Sequence, residues 1–105
     1  MEKYLLETVY DSRKSFYRKA TVYIFANGTR VLESYDSIVA LVKGNELQVF
    51  GNWDASPTTL RHVKEFAKQQ HFYVETKKDL QKFEVPEYGD GYYNIFDYER
   101  VLGLN

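Results

Sequence analysis

Two chain reversals constrain this sequence more than any other feature: Asn27-Gly28, with β-rich runs on both sides, and Gly44-Asn45, between Ser37–Lys43 and Glu46–Phe50. Asparagine and glycine accept positive φ, so both dipeptides suit two-residue hairpin turns. A two-residue loop at Asn27-Gly28 pairs Phe25 with Arg30, Ile24 with Val31, Tyr23 with Leu32 and Val22 with Glu33. One face then carries Val22, Ile24 and Val31, the other Tyr23, Phe25 and Leu32. Both are apolar, so cover is expected on two sides. The second reversal sets Lys43 against Glu46, Val42 against Leu47, Ala40 against Val49 and Val39 against Phe50. Its Lys43–Glu46 pair adds a few tenths of a kcal/mol. Ser34-Tyr35-Asp36-Ser37 links the hairpins as a short turn or bulge. The expected product is a four-strand meander over about residues 16–51, extendable by a strand at Lys3–Tyr10.

A helix follows the meander. Ser56 suits an N-cap, and Pro57 suits the first helical position, where its missing N–H costs nothing. Leu60, Val63, Phe66 and Ala67 recur on one face, while Arg61, Lys64 and Lys68 are expected to point away. The helix should end near Gln70. Phe72-Tyr73-Val74 reads as another short strand, Thr76–Phe83 as a capped helical turn, and Glu84–Tyr93, with Pro86, Gly89 and Gly91, as a loop. Asn94–Leu102 could close the chain as a short helix before Gly103. The fold class is therefore α+β: an antiparallel β-meander of four to six strands packed against one main α-helix, with a short C-terminal helix or irregular tail. Residues 1–105 form one domain, with the acidic, tyrosine-rich stretch 83–105 packed on or beside it.

With 105 residues the chain can build one core. It has no cysteine, so no disulfide supports that core, and His62 and His71 alone are too few for a zinc site. No metal, cofactor or catalytic residue is expected. Ten Tyr, seven Phe and one Trp supply the packing. The apolar run Tyr4-Leu5-Leu6 is too short for a signal peptide, and no stretch approaches the ~20 apolar residues of a membrane span. A cytoplasmic protein is expected, with no membrane partner.

Three stretches carry candidate chemistry. At the helix start, Ser56, Thr58, Thr59, Arg61 and His62 could hold a small anion, since helix N-termini present free N–H groups. Plain capping is the simpler reading. A hydrolytic triad of Ser56, His62 and Asp54 is rejected, because a capping serine turns its oxygen onto the helix and no nucleophile elbow is present. Arg13, Lys14, Arg18, Lys19 and Arg30, interleaved with aromatics, could bind nucleic acid if Tyr23 and Phe25 shared an open sheet face with Arg30. A guarded strand edge is the commoner explanation. The third stretch is the acidic, aromatic one: Glu84, Glu87, Tyr88, Asp90, Tyr92, Tyr93 and Asp97 could face a basic protein partner, rings anchoring and carboxylates steering. Equally, its rings could pack back over an exposed sheet face, leaving the acids solvated.

Ser15-Phe16-Tyr17 with Lys19-Ala20, Leu32–Ala40 and Ser56–Phe66 together resemble a family of small uncharacterised proteins from Gram-positive bacteria, their phages and plasmids. That family has a Ser-Phe-Tyr start, a Ser-Tyr-Asp/Gly-Thr segment and a Tyr-Ser-x-Thr-Thr-x-Arg/Lys-His helix start. Here Ala55 stands where tyrosine is usual and Ser37 where threonine is usual, and the chain after Lys82 lies outside the resemblance. The resemblance implies a mobile-element setting and assigns no activity. The leading expectation is a phage- or plasmid-encoded accessory protein that binds a host or defence-system protein in the host cytoplasm, as inhibitor or modulator. Nucleic-acid binding and anion binding are the alternatives, and a flat edge strand together with the abundance of tyrosine is compatible with a homodimer.

Overall fold

The computed structural model describes residues 2–11, 16 and 18–85. Five strands, β1 (Glu2–Leu5), β2 (Ala20–Ile24), β3 (Arg30–Ser34), β4 (Ser37–Lys43) and β5 (Glu46–Val49), form one antiparallel sheet in sequence order. The longer helix, α1 (Pro57–Gln69), packs on one face, and a short helix, α2 (Lys77–Gln81), follows it. The α+β meander is therefore the observed architecture.

The second hairpin keeps the expected register: Lys43 pairs with Glu46, Val42 with Leu47 and Ala40 with Val49, and the Phe50 N–H bonds to Val39 O at 3.0 Å. Ser34 pairs with Ser37 across the Tyr35-Asp36 turn. The first hairpin differs by one residue. Ile24 pairs with Arg30, Tyr23 with Val31 and Val22 with Leu32. The loop is three residues long: the Gly28 N–H bonds to Phe25 O at 2.9 Å, and Gly28 takes the left-handed conformation (φ 88°). This is the turn-plus-bulge loop, in which glycine occupies the third loop position. A one-residue slip exchanges the two faces of a strand. Leu32 thus joins Val22 under the helix, and Val31 joins Phe25 on the opposite face.

A register shift between Leu32 and Glu33 opposes Ile38 to Glu33 and Ala40 to Leu32, leaving Val39 as the extra residue. Ile38 and Leu41 consequently share the face away from α1, while Val39, Ala40 and Val42 serve the main core. The main core adds Val63, Phe66 and Ala67 of α1, with Trp53, Val74 and Leu80, and Leu60 half-buried beside them. Each large side chain so buried contributes roughly 1.5–3 kcal/mol.

Both helices are capped as their sequences suggest. Ser56 Oγ accepts the Thr59 N–H at 3.1 Å, and Thr76 with Asp79 forms a reciprocal capping box. The end of α1 is closed by His71 in the left-handed conformation (φ 71°): its N–H bonds to Lys68 O, and the Phe72 N–H reaches Ala67 O, both at 2.9 Å. This Schellman closure usually employs glycine. Phe72–Val74, expected as a strand, is irregular. It alternates as a strand would, with Val74 buried and Tyr73 exposed, but Phe72 donates its N–H to the helix end. The open edge of β5 is taken instead by residues 83–85, through Val49 N–H to Phe83 O at 3.0 Å and Val85 N–H to Val49 O at 2.9 Å. Glu84, expected in a loop, is thus bridged to Val49. The closing helix expected at 94–102 lies outside the described residues.

Candidate functional site

One side of α1 carries a polar stripe, Arg61, His62, Glu65 and Gln69, beside its apolar one. Residues three and four apart share a helix face, so this stripe meets a single neighbour, the chain between β1 and β2 together with the end of β3. Glu65, only 1 % exposed, is its centre. Its carboxylate accepts backbone N–H groups from Val9 (3.1 Å), Tyr10 (3.0 Å) and Asp11 (2.8 Å), and the Gln69 side-chain amide at 2.6 Å. Gln69 also donates to Glu7 O at 2.7 Å. Consecutive N–H groups wrapped on a carboxylate form an anion cradle whose anion is the protein's own.

One turn back, Arg61 Nε donates to Asp11 Oδ2 at 2.8 Å and its guanidinium lies 5.0 Å from the Phe16 ring centre. Arg61 therefore does not point away, contrary to the helical-face expectation, because Asp11 and Phe16 come to meet it. His62 is fully buried, edge-to-face with Phe16 at 4.6 Å and 5.8 Å from Tyr35. Its Nδ1 lies 2.8 Å from Ser34 Oγ. Ser34 donates to Thr59 Oγ1 at 3.3 Å, and Ser56 does the same at 3.1 Å. The direction of the Ser34–His62 hydrogen bond follows the ring tautomer, and among the described residues Nε2 is buried without a hydrogen-bond partner. Desolvation pushes the His62 pKa down to about 4, the Arg61 charge pushes it the same way, and Asp11 opposes them. The ring is neutral near pH 7.

This geometry distributes the residues singled out in the sequence. Ser56 and Thr59 are engaged in capping and in the link to Ser34, Arg61 in the Asp11 bridge and His62 in the core; Thr58 is half-buried on the first turn. They surround no common anion position. Arg18 and Lys19 are exposed where β2 begins, whereas Arg30 lies at the far end of β3 and donates to Gln70 at 2.7 Å. Four residues at ~3.3 Å each separate those ends. Phe25 is buried and lies with Tyr23 on the face opposite Arg30's, so the proposed stacking platform is not assembled. Arg13 and Lys14 lie outside the described residues. Of the acidic set, Glu84 accepts the Trp53 indole N–H at 2.8 Å; Glu87, Tyr88, Asp90, Tyr92, Tyr93 and Asp97 lie outside the described residues.

The consequence of the Glu65 cradle is on the surface. By pinning amides 9–11 it turns Val9 (67 % exposed) and Tyr10 (55 %) outward. Tyr10 shares an open depression with Lys68, His71 and Tyr73, the last 86 % exposed. Sequence reasoning did not find this surface. Its signal was the acid at position 65 in register with His62 and Gln69, a polar stripe too close to the apolar one to be solvated.

Similarity to known proteins places the chain in a family. It belongs to a family of unknown function, DUF8033, whose model matches residues 4–82. That span includes every strand but the first residues of β1, both helices, and the whole Glu65–His62 cluster. No curated protein and no solved structure matches the chain.

Proposed function

We propose that this protein acts by binding another protein through the surface formed by Val9, Tyr10 and Tyr73, as an accessory protein of a phage or plasmid working on a host or defence-system protein in the host cytoplasm. The observation that carries the binding reading is the outward display of Val9 and Tyr10 on backbone that Glu65 holds, beside the exposed Tyr73. Aromatic residues held on a rigid frame bind at low entropic cost and are the residues that dominate interface energetics. A buried carboxylate holds the Val9–Asp11 backbone in place, so the display is built in. The mobile-element setting rests on the resemblance of the Ser15–Ala20, Leu32–Ala40 and Ser56–Phe66 stretches.

The reading involves no catalysis. The hydroxyl–imidazole pair of Ser34 and His62 is 2 % and 0 % exposed, which suits a tie between β3 and α1. No helix among the described residues is long and apolar enough to cross a membrane. The test is capture of partners from host lysate by the wild type and by Tyr10→Ala/Tyr73→Ala, with circular dichroism confirming equal folding. Partners retained unchanged by the double variant exclude this surface. Charge reversal of Glu87, Asp90 and Asp97 run in parallel reports separately on the acidic stretch.

A further inference from the structure

We infer that the depression between the two hairpin tips and the end of α1 is a binding site for a small carboxylate that carries an apolar body. It lies where Gly28 and Gly44-Asn45 reverse the chain and encloses about 460 Å³, within the roughly 300–1,000 Å³ of small-molecule sites. Strand register sets its chemistry: Arg30 pairs with Val42 across β3 and β4, which places a guanidinium beside an apolar side chain. Gln70, the C-cap of α1, holds that guanidinium by accepting from Arg30 Nη1 at 2.7 Å. The guanidinium fork has further N–H donors of the kind that grip a carboxylate. Phe72 supplies the apolar wall, its ring edge-to-face with Phe83 at 6.0 Å. Groups held in place beforehand lose little freedom when a ligand arrives.

The charge here has one sign. Among the described residues no carboxylate lines the depression, and Arg30 forms no ion pair. The carbonyls of Phe66, Ala67 and Lys68 at the end of α1 are taken by the N–H groups of residues 70–72, so these oxygens are not turned against an anion. His71 fits the same use. It lines the depression in the left-handed conformation (φ 71°), where glycine would relieve the strain. Among the described residues its imidazole forms no hydrogen bond or ion pair. A side chain present at a cost to the backbone, and tied to nothing in the fold, is one a ligand can use. Arg30 and His71 then supply N–H donors to the carboxylate, while Val42 and Phe72 receive the apolar body.

The test titrates benzoate, a carboxylate on a ring, into the isotope-labelled full chain and follows its amide signals. Those of Gly44, Asn45 and His71 are expected to shift and to saturate with a dissociation constant of about 1 mM. Benzamide, the neutral isostere, and inorganic phosphate, which lacks the apolar body, should each bind about tenfold more weakly. Arg30→Gln, which keeps a donor for Gln70, and His71→Gly should each weaken benzoate by about tenfold. The melting temperature of His71→Gly should not fall, so its loss of binding is not a loss of fold. Tyr10→Ala/Tyr73→Ala should bind benzoate as the wild type does, which separates this site from the surface proposed for a protein partner. Shifts that do not saturate, or that centre on Tyr10 and Tyr73, overturn the inference. So does benzamide or phosphate binding as tightly as benzoate, or undiminished benzoate binding by Arg30→Gln or His71→Gly.

Discussion

Glu65 shows how one side chain sets the conformation of a distant segment. Three backbone donors, all more than fifty residues away in sequence, converge on its carboxylate. Hydrogen bonds to a charged acceptor are worth about 1.5–3 kcal/mol each where they are buried, and donors left without a partner carry a desolvation cost. Glu65→Ala is expected to lower stability by about 3–5 kcal/mol in urea denaturation, and Glu65→Gln by clearly less, since its carbonyl oxygen still accepts. His62 contributes a pH dependence. Its folded pKa of about 4 lies below the value of about 6.5 in the unfolded chain, so below pH 6.5 the unfolded state takes up a proton that the folded state refuses. Its contribution is complete above pH 6.5 and is lost progressively down to about pH 4, by roughly 3 kcal/mol in total. Urea midpoints measured from pH 7.5 to 4.5 should fall for the wild type and fall less steeply for His62→Asn. The converse slope would place a charged ring in the core.

At the scale of elements, most boundaries were legible because each had a local cause. Ser56-Pro57 began a helix, Thr76 with Asp79 began another, and Gly44-Asn45 turned a strand in the register read from its residues. The failures were places where two local solutions use the same residues. Asn27-Gly28 fits a two-residue turn, and fits equally a three-residue loop with glycine last; the right-handed twist and Thr29 N–H bonding to Asn27 Oδ1 at 3.0 Å accompany the second. Phe72–Val74 alternates like a strand, yet no glycine marked His71 as the helix stop. That position is left-handed and bears a Cβ, a conformation that strains any residue but glycine. His71→Gly is therefore expected to stabilise the fold by about 0.5–1 kcal/mol, seen as a higher melting temperature. No gain would mean that the imidazole contributes packing of its own. The site was less legible than the fold. Its candidates were chosen for exposed chemistry, whereas Arg61, His62 and Glu65 act by being covered, and the covering residues come from the opposite end of the sequence.

The whole molecule is a sheet with unlike edges. β5 is closed by residues 83–85, and Trp53 locks that closure through its indole N–H on Glu84. Trp53 is the sole tryptophan, 1 % exposed, and it packs in the α1 core. Its fluorescence therefore reports on the helix layer and the β5 edge together. If these unfold as one unit, the emission and far-UV dichroism transitions in urea coincide. Glu84→Ala should shift both midpoints alike, by about 1–2 kcal/mol for the stranded indole donor. A shift in fluorescence alone would show that the edge opens independently.

Because of its bulge, β4 has five consecutive hydrocarbon side chains, Ile38-Val39-Ala40-Leu41-Val42, shared between two cores and buried from 0 to 8 %. No charge interrupts them until Lys43. Such a run is safe while β3 and β5 occupy its hydrogen-bonding positions, and hazardous once either peels away, since it is then a template for stacking with other molecules of its kind. The device that lets so thin a sheet serve two interiors thus makes recovery from heat a contest between refolding and fibre-like association, in which concentration decides the winner.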